Sequence, residues 1–404
     1  MTRICITINF FPIAGGARAI AYEVWRTLHN EYEVHFLTIP PKTYHKQYII
    51  HPLQRSRRFY LPFNPGLFPF NIGYVIFGFL KLLYLNKKYH FNVILSQDGV
   101  FTGLYSVLFG KITGTKVVVM DYGATTNYLS SEYWNFQNAT ATKGLGSMRS
   151  LHTMLIRATA RIAIQLTARM ADRFGVLGHE LSKIYQNLRV DNFKLRTIQY
   201  SVDEDFFKPS EAKKTEGRRR LGILNNSIVV NATCRLSQEK GVEYLLPAFK
   251  QAIRQNNRIV CLLVGKGNMA EFAAEFVKQN WLENRIILMG EASPEKVRDL
   301  LQLSDVFVYA GVSGSNVSLA VLEAMAVRLA VIAADSPLSH RDLLANNRGI
   351  AVPTKDISAL AKAISLLSEN DRLRNEIAEN GRRWVLEHHS LKVTKANIEA
   401  LVRT

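Results

Sequence analysis

Two cations, Arg235 and Lys240, lie in the segment Arg235-Leu236-Ser237-Gln238-Glu239-Lys240-Gly241, just after the strand-like run Ser227–Ala232. A strand end that opens into a helix start is where anions bind. An Arg fork beside a Lys point charge suits a diphosphate there. A solvated surface loop is the competing reading. In a second segment, Ser313-Gly314-Ser315-Asn316-Val317-Ser318-Leu319-Ala320-Val321-Leu322-Glu323-Ala324-Met325-Ala326, small polar residues precede an apolar helix with one carboxylate. Unpaired N–H groups in its first turn, from Ser315 to Leu319, suit phosphate. Glu323, among apolar neighbours, needs a partner: either ribose hydroxyls or an ion pair in the core. In the loop Pro12–Arg18, Gly15 and Gly16 allow close backbone approach to an anion, or simply make a tight turn. The G-x-G-x-x-G pattern is incomplete there, so NAD is not expected.

Short β-branched runs alternate with amphipathic stretches and position these segments. Arg3–Asn9, Glu33–Thr38, Val93–Ser96 and Lys116–Met120 read as strands of one parallel sheet. Ser227–Ala232, Arg258–Val264, Arg285–Met289, Val306–Tyr309 and Ala330–Ala333 read as strands of another. The 404 residues exceed one ordinary core. The division expected is a first Rossmann-like domain over 1–200, a charge-dense surface connection with Gly217 over 201–226, and a second Rossmann-like domain over 227–404. The last helix is read as one that can return to the first domain.

Charge is unevenly placed. Residues 1–200 carry 23 Lys and Arg against 9 Asp and Glu, and residues 201–404 carry 28 against 24. Most of the net +18 therefore sits in the first half. A basic face suits nucleic acid, an anionic membrane or a phosphorylated substrate, and no nucleic-acid motif accompanies it. Phe59–Leu80 is uncharged but interrupted by Pro62, Pro65 and Pro69. That argues against a spanning helix and leaves an aromatic loop before a core helix, or a surface that dips into a membrane between flanking basic residues. The stretch Met148–Met170 reads as an interfacial helix. Three scattered cysteines, Cys5, Cys234 and Cys261, show neither metal spacing nor a disulfide framework, and point to a reducing cytosol.

The ordered series of segments resembles glycosyltransferase family 4 over nearly the whole chain. Pro12–Arg18 is similar to its P-x-x-G-G-x-x loop. Tyr200-Ser201-Val202-Asp203 with Phe207-Lys208-Pro209 is similar to its linker, and Arg235–Gly241 to its R-x-x-x-x-K-G segment. Gly290-Glu291 resembles its base-binding turn, and the region up to Glu323 its E-x7-E element. The resemblance implies an α/β chain of GT-B fold, two Rossmann-like domains facing a central cleft, and a retaining nucleotide-sugar transferase. It implies that Arg235 and Lys240 neutralise the departing diphosphate, that Glu323 holds the ribose, and that Gly15, Gly16, Gly290, Glu291, Ser315, Asn316, Val317, Ser318 and Leu319 line the donor site. No cofactor and no metal are expected, since Asp203-Glu204-Asp205 falls in the linker pattern.

Two departures stand out: Ser315 replaces the family's first Glu, and Asp121 replaces its usual His. Asp121 either accepts a hydrogen bond from sugar or acceptor, or caps the strand end. His340 and Arg341 are read as facing the cleft. The acceptor expected is a glycan or lipid-linked molecule at an anionic membrane, with the enzyme peripheral at the cytoplasmic face. The competing function is a GT-B partner subunit without transferase activity, motivated by Ser315 and Asp121.

Overall fold

The computed structural model describes residues 1–10, 24–39, 48–53, 72–121, 146–188, 190–199, 201–312, 318–335 and 340–403. It divides into two units, Met1–Gln199 with Thr394–Thr404, and Tyr200–Val393.

The first unit holds strands β1 (Arg3–Phe10), β2 (Glu33–Ile39), β3 (Ile49–Pro52), β4 (Val93–Ser96), β5 (Lys116–Asp121), β6 (Arg173–Leu177) and β7 (Leu195–Ile198). They pair in parallel in the order β3-β2-β1-β4-β5-β6-β7, so the winding reverses between β1 and β4. The central strands are apolar because helices cover both faces of a parallel sheet. Its helices are α1 (Ile72–Tyr89), α2 (Phe101–Thr113), α3 (Gly146–Met170) and α4 (Gly178–Asn187). Asp98 starts α2 by accepting from the N–H groups of Val100, Phe101 and Thr102.

The second unit holds β8 (Ile228–Thr233), β9 (Ile259–Val264), β10 (Ile286–Gly290), β11 (Val306–Tyr309), β12 (Ala330–Asp335) and β13 (Ile350–Pro353), again all parallel, in the order β10-β9-β8-β11-β12-β13. Its helices are α5 (Glu211–Arg220), α6 (Val242–Gln255), α7 (Ala270–Gln279), α8 (Pro294–Gln302), α9 (Leu319–Ala326), α10 (Arg341–Leu344), α11 (Ile357–Glu369) and α12 (Asp371–His388). Alternate strand residues serve two cores. Val230, Cys261, Val308 and Ile332 pack with Leu246 and Phe249 of α6 and Ile364 of α11. Phe307, Tyr309 and Val331 pack with Val321, Leu322 and Met325 of α9.

Residues 211–220, within the stretch read as a surface connection, form α5 and belong to the second unit. Arg218 is buried and donates to Leu303 O, Ser227 O and the Asp305 carboxylate at 2.6 Å. Gly217 is not a loop marker. A Cβ there would meet Leu303 at 2.9 Å, so glycine lets the helix approach. The final helix, α13 (Leu391–Arg403), ends in the first unit. There Lys395 and Arg403 pair with Glu31, and Lys116 Nζ donates to Val402 O at 2.9 Å.

Candidate active site

The winding of the second sheet reverses between β8 and β11, and the carboxyl ends of strands at such a point leave a ligand crevice. The loop after β8 carries Arg235 and Lys240. Its path is fixed by backbone bonds from Cys234 N to Val264 O, Leu236 N to Lys266 O and Val312 N to Glu239 O. A 3-10 turn over Gln238–Lys240 ends at Gly241, whose φ is +69°. A Cβ at Gly241 would stand 2.0 Å from Ala310 O, so only glycine serves.

Lys240 Nζ donates to Tyr309 Oη at 3.2 Å, at the end of β11. Burial opposes the charge on Lys240, but the Tyr309 hydroxyl and the Glu239 carboxylate outweigh it and hold its pKa above the ordinary lysine value. Arg235 is 64% exposed and pairs with Glu239 one turn along the same loop. The pair engages one Nη of the guanidinium, so Glu239 competes with a phosphate for that side of it.

Helix α9 stands across the reversal. Its N-cap, Ser318, makes no side-chain cap. Instead Ser318 N–H donates to His340 Nε2 at 3.2 Å. Val321 N–H returns to Ser318 O. Leu319 and Ala320, the first helical residues, have no intrahelical acceptor for their N–H groups. Glu323 follows them at i+4 and i+3, on the same face. Its residue as a whole is half-buried, while the carboxyl lies deep enough that burial pushes its pKa up to about 8. Among the described residues no group donates to that carboxyl.

His340 and Arg341 do not behave alike. His340 is buried and engaged with Ser318, while Arg341 is exposed and paired with Asp335. Gly290 has φ +67° at the end of β10, and its carbonyl accepts Gly265 N–H at 2.8 Å. Glu291 pairs with Lys266 at 2.6 Å. The Gly265–Gly267 turn thus supports both the cation loop and the Gly290 turn. A Cβ at Gly265, whose φ is +140°, would fall 1.9 Å from Cys234 O. Sequence reasoning passed over this turn and Tyr309; a glycine pair directly after a strand, Val264-Gly265-Lys266-Gly267, is the signal that marks the turn.

Asp121 ends β5 in the first unit, fully buried, and accepts from Tyr185 Oη at 2.6 Å. Gly15, Gly16, Ser315, Asn316 and Val317 lie outside the described residues. Among the described residues no three His, Cys, Asp or Glu side chains are grouped to hold a metal ion. In the Asp203-Glu204-Asp205 run, Asp203 caps a turn through Asp205 N and Phe206 N, and Glu204 accepts from Leu391 N.

Residues 213–384 match the family Glycosyl transferases group 1. An uncharacterized glycosyltransferase of Methanocaldococcus jannaschii is 22% identical over 320 residues, 78% of this chain and 75% of the relative. The UDP-Gal:alpha-D-GlcNAc-diphosphoundecaprenol alpha-1,3-galactosyltransferase of Escherichia coli is 26% identical over 254 residues, 59% of this chain and 64% of the relative, just under two thirds of its length. The crystal structure of Anabaena HepE in complex with UDP aligns over 100% of both chains with a TM-score of 0.78 at 16% identity. Two doubly wound parallel-sheet units, and the alignment over the whole chain, give this chain the GT-B fold, and its second unit is similar to the group 1 glycosyl transferases over residues 213–384.

Proposed function

We propose that the protein transfers a hexosyl group from a nucleoside diphosphate sugar to a lipid-linked or cell-envelope acceptor, with retention at the anomeric carbon. The observation that carries this reading is the chain of contacts at the β8/β11 reversal: Lys240 on the Tyr309 hydroxyl, His340 against the Tyr309 ring, and Ser318 N–H at the start of α9 on His340, with Glu323 further along α9 and no described residue donating to its carboxyl. The diphosphate sits on Lys240 and the N–H groups of Leu319 and Ala320, and the ribose hydroxyls satisfy Glu323. As the glycosidic bond to phosphate breaks, positive charge grows on the sugar and negative charge on the departing diphosphate. Fixed cations and N–H dipoles aimed at the growing negative charge lower the barrier. Arg235 joins them through guanidinium N–H groups that its pair with Glu239 does not engage. This set supplies positive charge from the chain itself, so transfer is expected to need no divalent cation.

The acceptor part of the proposal has two supports. The Escherichia coli relative is named for a diphosphoundecaprenol acceptor. On this chain, helices α1, α2 and α3 contain no acidic residue, and Ile76, Leu80 and Tyr84 on one side of α1 are 54%, 56% and 64% exposed. Lys87 and Lys88 are exposed at the end of the same helix. Apolar side chains rimmed by cations suit an anionic lipid surface. The buried face of α3, Ala160, Ile164 and Ala168, belongs to the core, while Ile162 and Leu166 stay exposed. No described helix is long and apolar enough to cross a membrane. Sedimentation with vesicles tests the surface. Binding should require acidic lipid, fall with salt, and fall further in Leu80→Ser/Tyr84→Ser. Indifference to acidic vesicles at low salt would remove the membrane and favour a soluble acceptor.

A further inference from the structure

We infer that His340 is a positioning residue for donor binding: it sets the first turn of α9 for the phosphate and, through Tyr309, ties that turn to Lys240. The inference rests on the donor reading above. Four backbone donors stand at the start of α9, those of Ser318, Leu319, Ala320 and Val321. His340 Nε2 takes the first and Ser318 O takes the fourth. Among the described residues the middle pair has no acceptor; the two N–H groups are side by side, on half-exposed residues. Of these four, an anion at this helix end meets the middle two, in a direction set by a side chain from a different loop.

The imidazole can do this in one state only. Nε2 accepts, so the ring is neutral with its proton on Nδ1, toward the Ala334 carbonyl. Burial, together with the nearby Lys240 charge, keeps the ring neutral against the pull of the Ala334 carbonyl and of Asp335. His340 also packs on the Tyr309 ring, with centroids 5.0 Å apart. The Tyr309 hydroxyl meets Lys240 Nζ at 3.2 Å. Two groups that must reach one diphosphate, the ammonium and the helix start, come from separate loops. The His340–Tyr309 pair is the contact that sets their spacing. Arg341, next in sequence, is exposed and takes no part.

The test is calorimetric titration of the full chain with UDP and GDP, and with uridine and guanosine at millimolar concentration. It compares His340→Gln, His340→Phe, Tyr309→Phe and Lys240→Ala. His340→Gln keeps an acceptor for Ser318 N–H but loses the ring against Tyr309, and should weaken the diphosphate by about threefold, less than His340→Phe. His340→Phe keeps the ring but leaves Ser318 N–H unsatisfied, and should weaken the diphosphate about tenfold while leaving the nucleoside unchanged. Tyr309→Phe, which leaves the buried ring in place, should weaken the diphosphate in the same selective way. Should His340→Phe fail to fold, Tyr309→Phe and His340→Gln decide alone. Parent-like diphosphate binding in His340→Phe or Tyr309→Phe, beside a clear loss in Lys240→Ala, overturns the inference and leaves the donor site standing. Equal losses for nucleoside and diphosphate also overturn it, because a merely structural role predicts that. If Lys240→Ala binds diphosphate as the parent does, or the parent binds neither, the donor reading fails first and takes the inference with it.

Discussion

Replacing Glu323 with Gln should make the free protein more stable and the enzyme worse. Burial raises the Glu323 pKa from the ordinary 4.5 to about 8. In the unfolded chain the carboxyl ionises near its ordinary value. A raised carboxylate pKa means the folded state holds the proton more tightly, so stability falls as pH climbs from the unfolded value toward the folded one. At about 1.36 kcal/mol per unit, the loss reaches about 3 kcal/mol at pH 7 and levels off near 5 kcal/mol above the folded pKa. The amide of the variant cannot ionise and escapes the loss. For a unit of this size, about 2–4 °C per kcal/mol applies, so Glu323→Gln should melt roughly 6–12 °C above the parent at pH 7, and level with it at pH 4. Nucleoside diphosphate affinity should fall, since an amide cannot match an ionised acceptor for two ribose hydroxyls. Binding to the parent should release protons near neutral pH, as hydroxyl donors favour the ionised form. Melting scans from pH 4 to 9 and titrations in buffers of different ionisation enthalpy measure both. A variant less stable than the parent at every pH would mean that the carboxyl has a structural partner, and the ribose assignment would be wrong.

Three further outcomes follow from the same geometry. Arg235→Ala and Lys240→Ala should each leave a folded protein with strongly reduced donor turnover, since a charged contact to phosphate contributes about 1.5–3 kcal/mol; unchanged turnover in the folded double variant would move the site elsewhere. Transfer should persist in EDTA, and an activity lost there and restored by Mn²⁺ or Mg²⁺ would contradict the proposed charge balance. Arg218→Ala should cost the second unit about 3 kcal/mol in denaturant titration, because it removes one of two cations from buried Asp305. Burial favours protonation of Asp305, but Lys214 and Arg218 outweigh it and hold the pKa below the ordinary 3.8. The stabilisation is therefore complete at neutral pH and disappears as pH falls through the folded value, and a variant that unfolds in acid like the parent would refute this.

Much of the second unit was legible because its central strands are continuous apolar runs: β9, β11 and β12 begin within one residue of their expected starts. Strands β3, β7 and β13 were not, because edge strands are short and face solvent on one side, and β6 carries Arg173 and Gly175 in an otherwise apolar run. The cations and Glu323 could be read because charge type and local order announce them. What holds them could not. Tyr309 reads as one more core aromatic, and the partner of His340 is 22 residues away. Helix α5 read as a surface connection for the same reason: the burial of Arg218 is set by Asp305, 87 residues further on. Charge density speaks for solvent until a distant carboxylate is known to be opposite.

The central claim is that the β8/β11 edge holds a nucleoside diphosphate. Thermal melting of the parent and of Arg235→Ala/Lys240→Ala with UDP, GDP and ADP tests it most directly. At a ligand concentration about 100 times Kd, stabilisation is about 2.7 kcal/mol, so one of the three should raise the parent's Tm by roughly 5–10 °C. The double variant should lose most of that shift while melting normally without ligand. No shift with any of the three, or an equal shift in the double variant, would contradict the account.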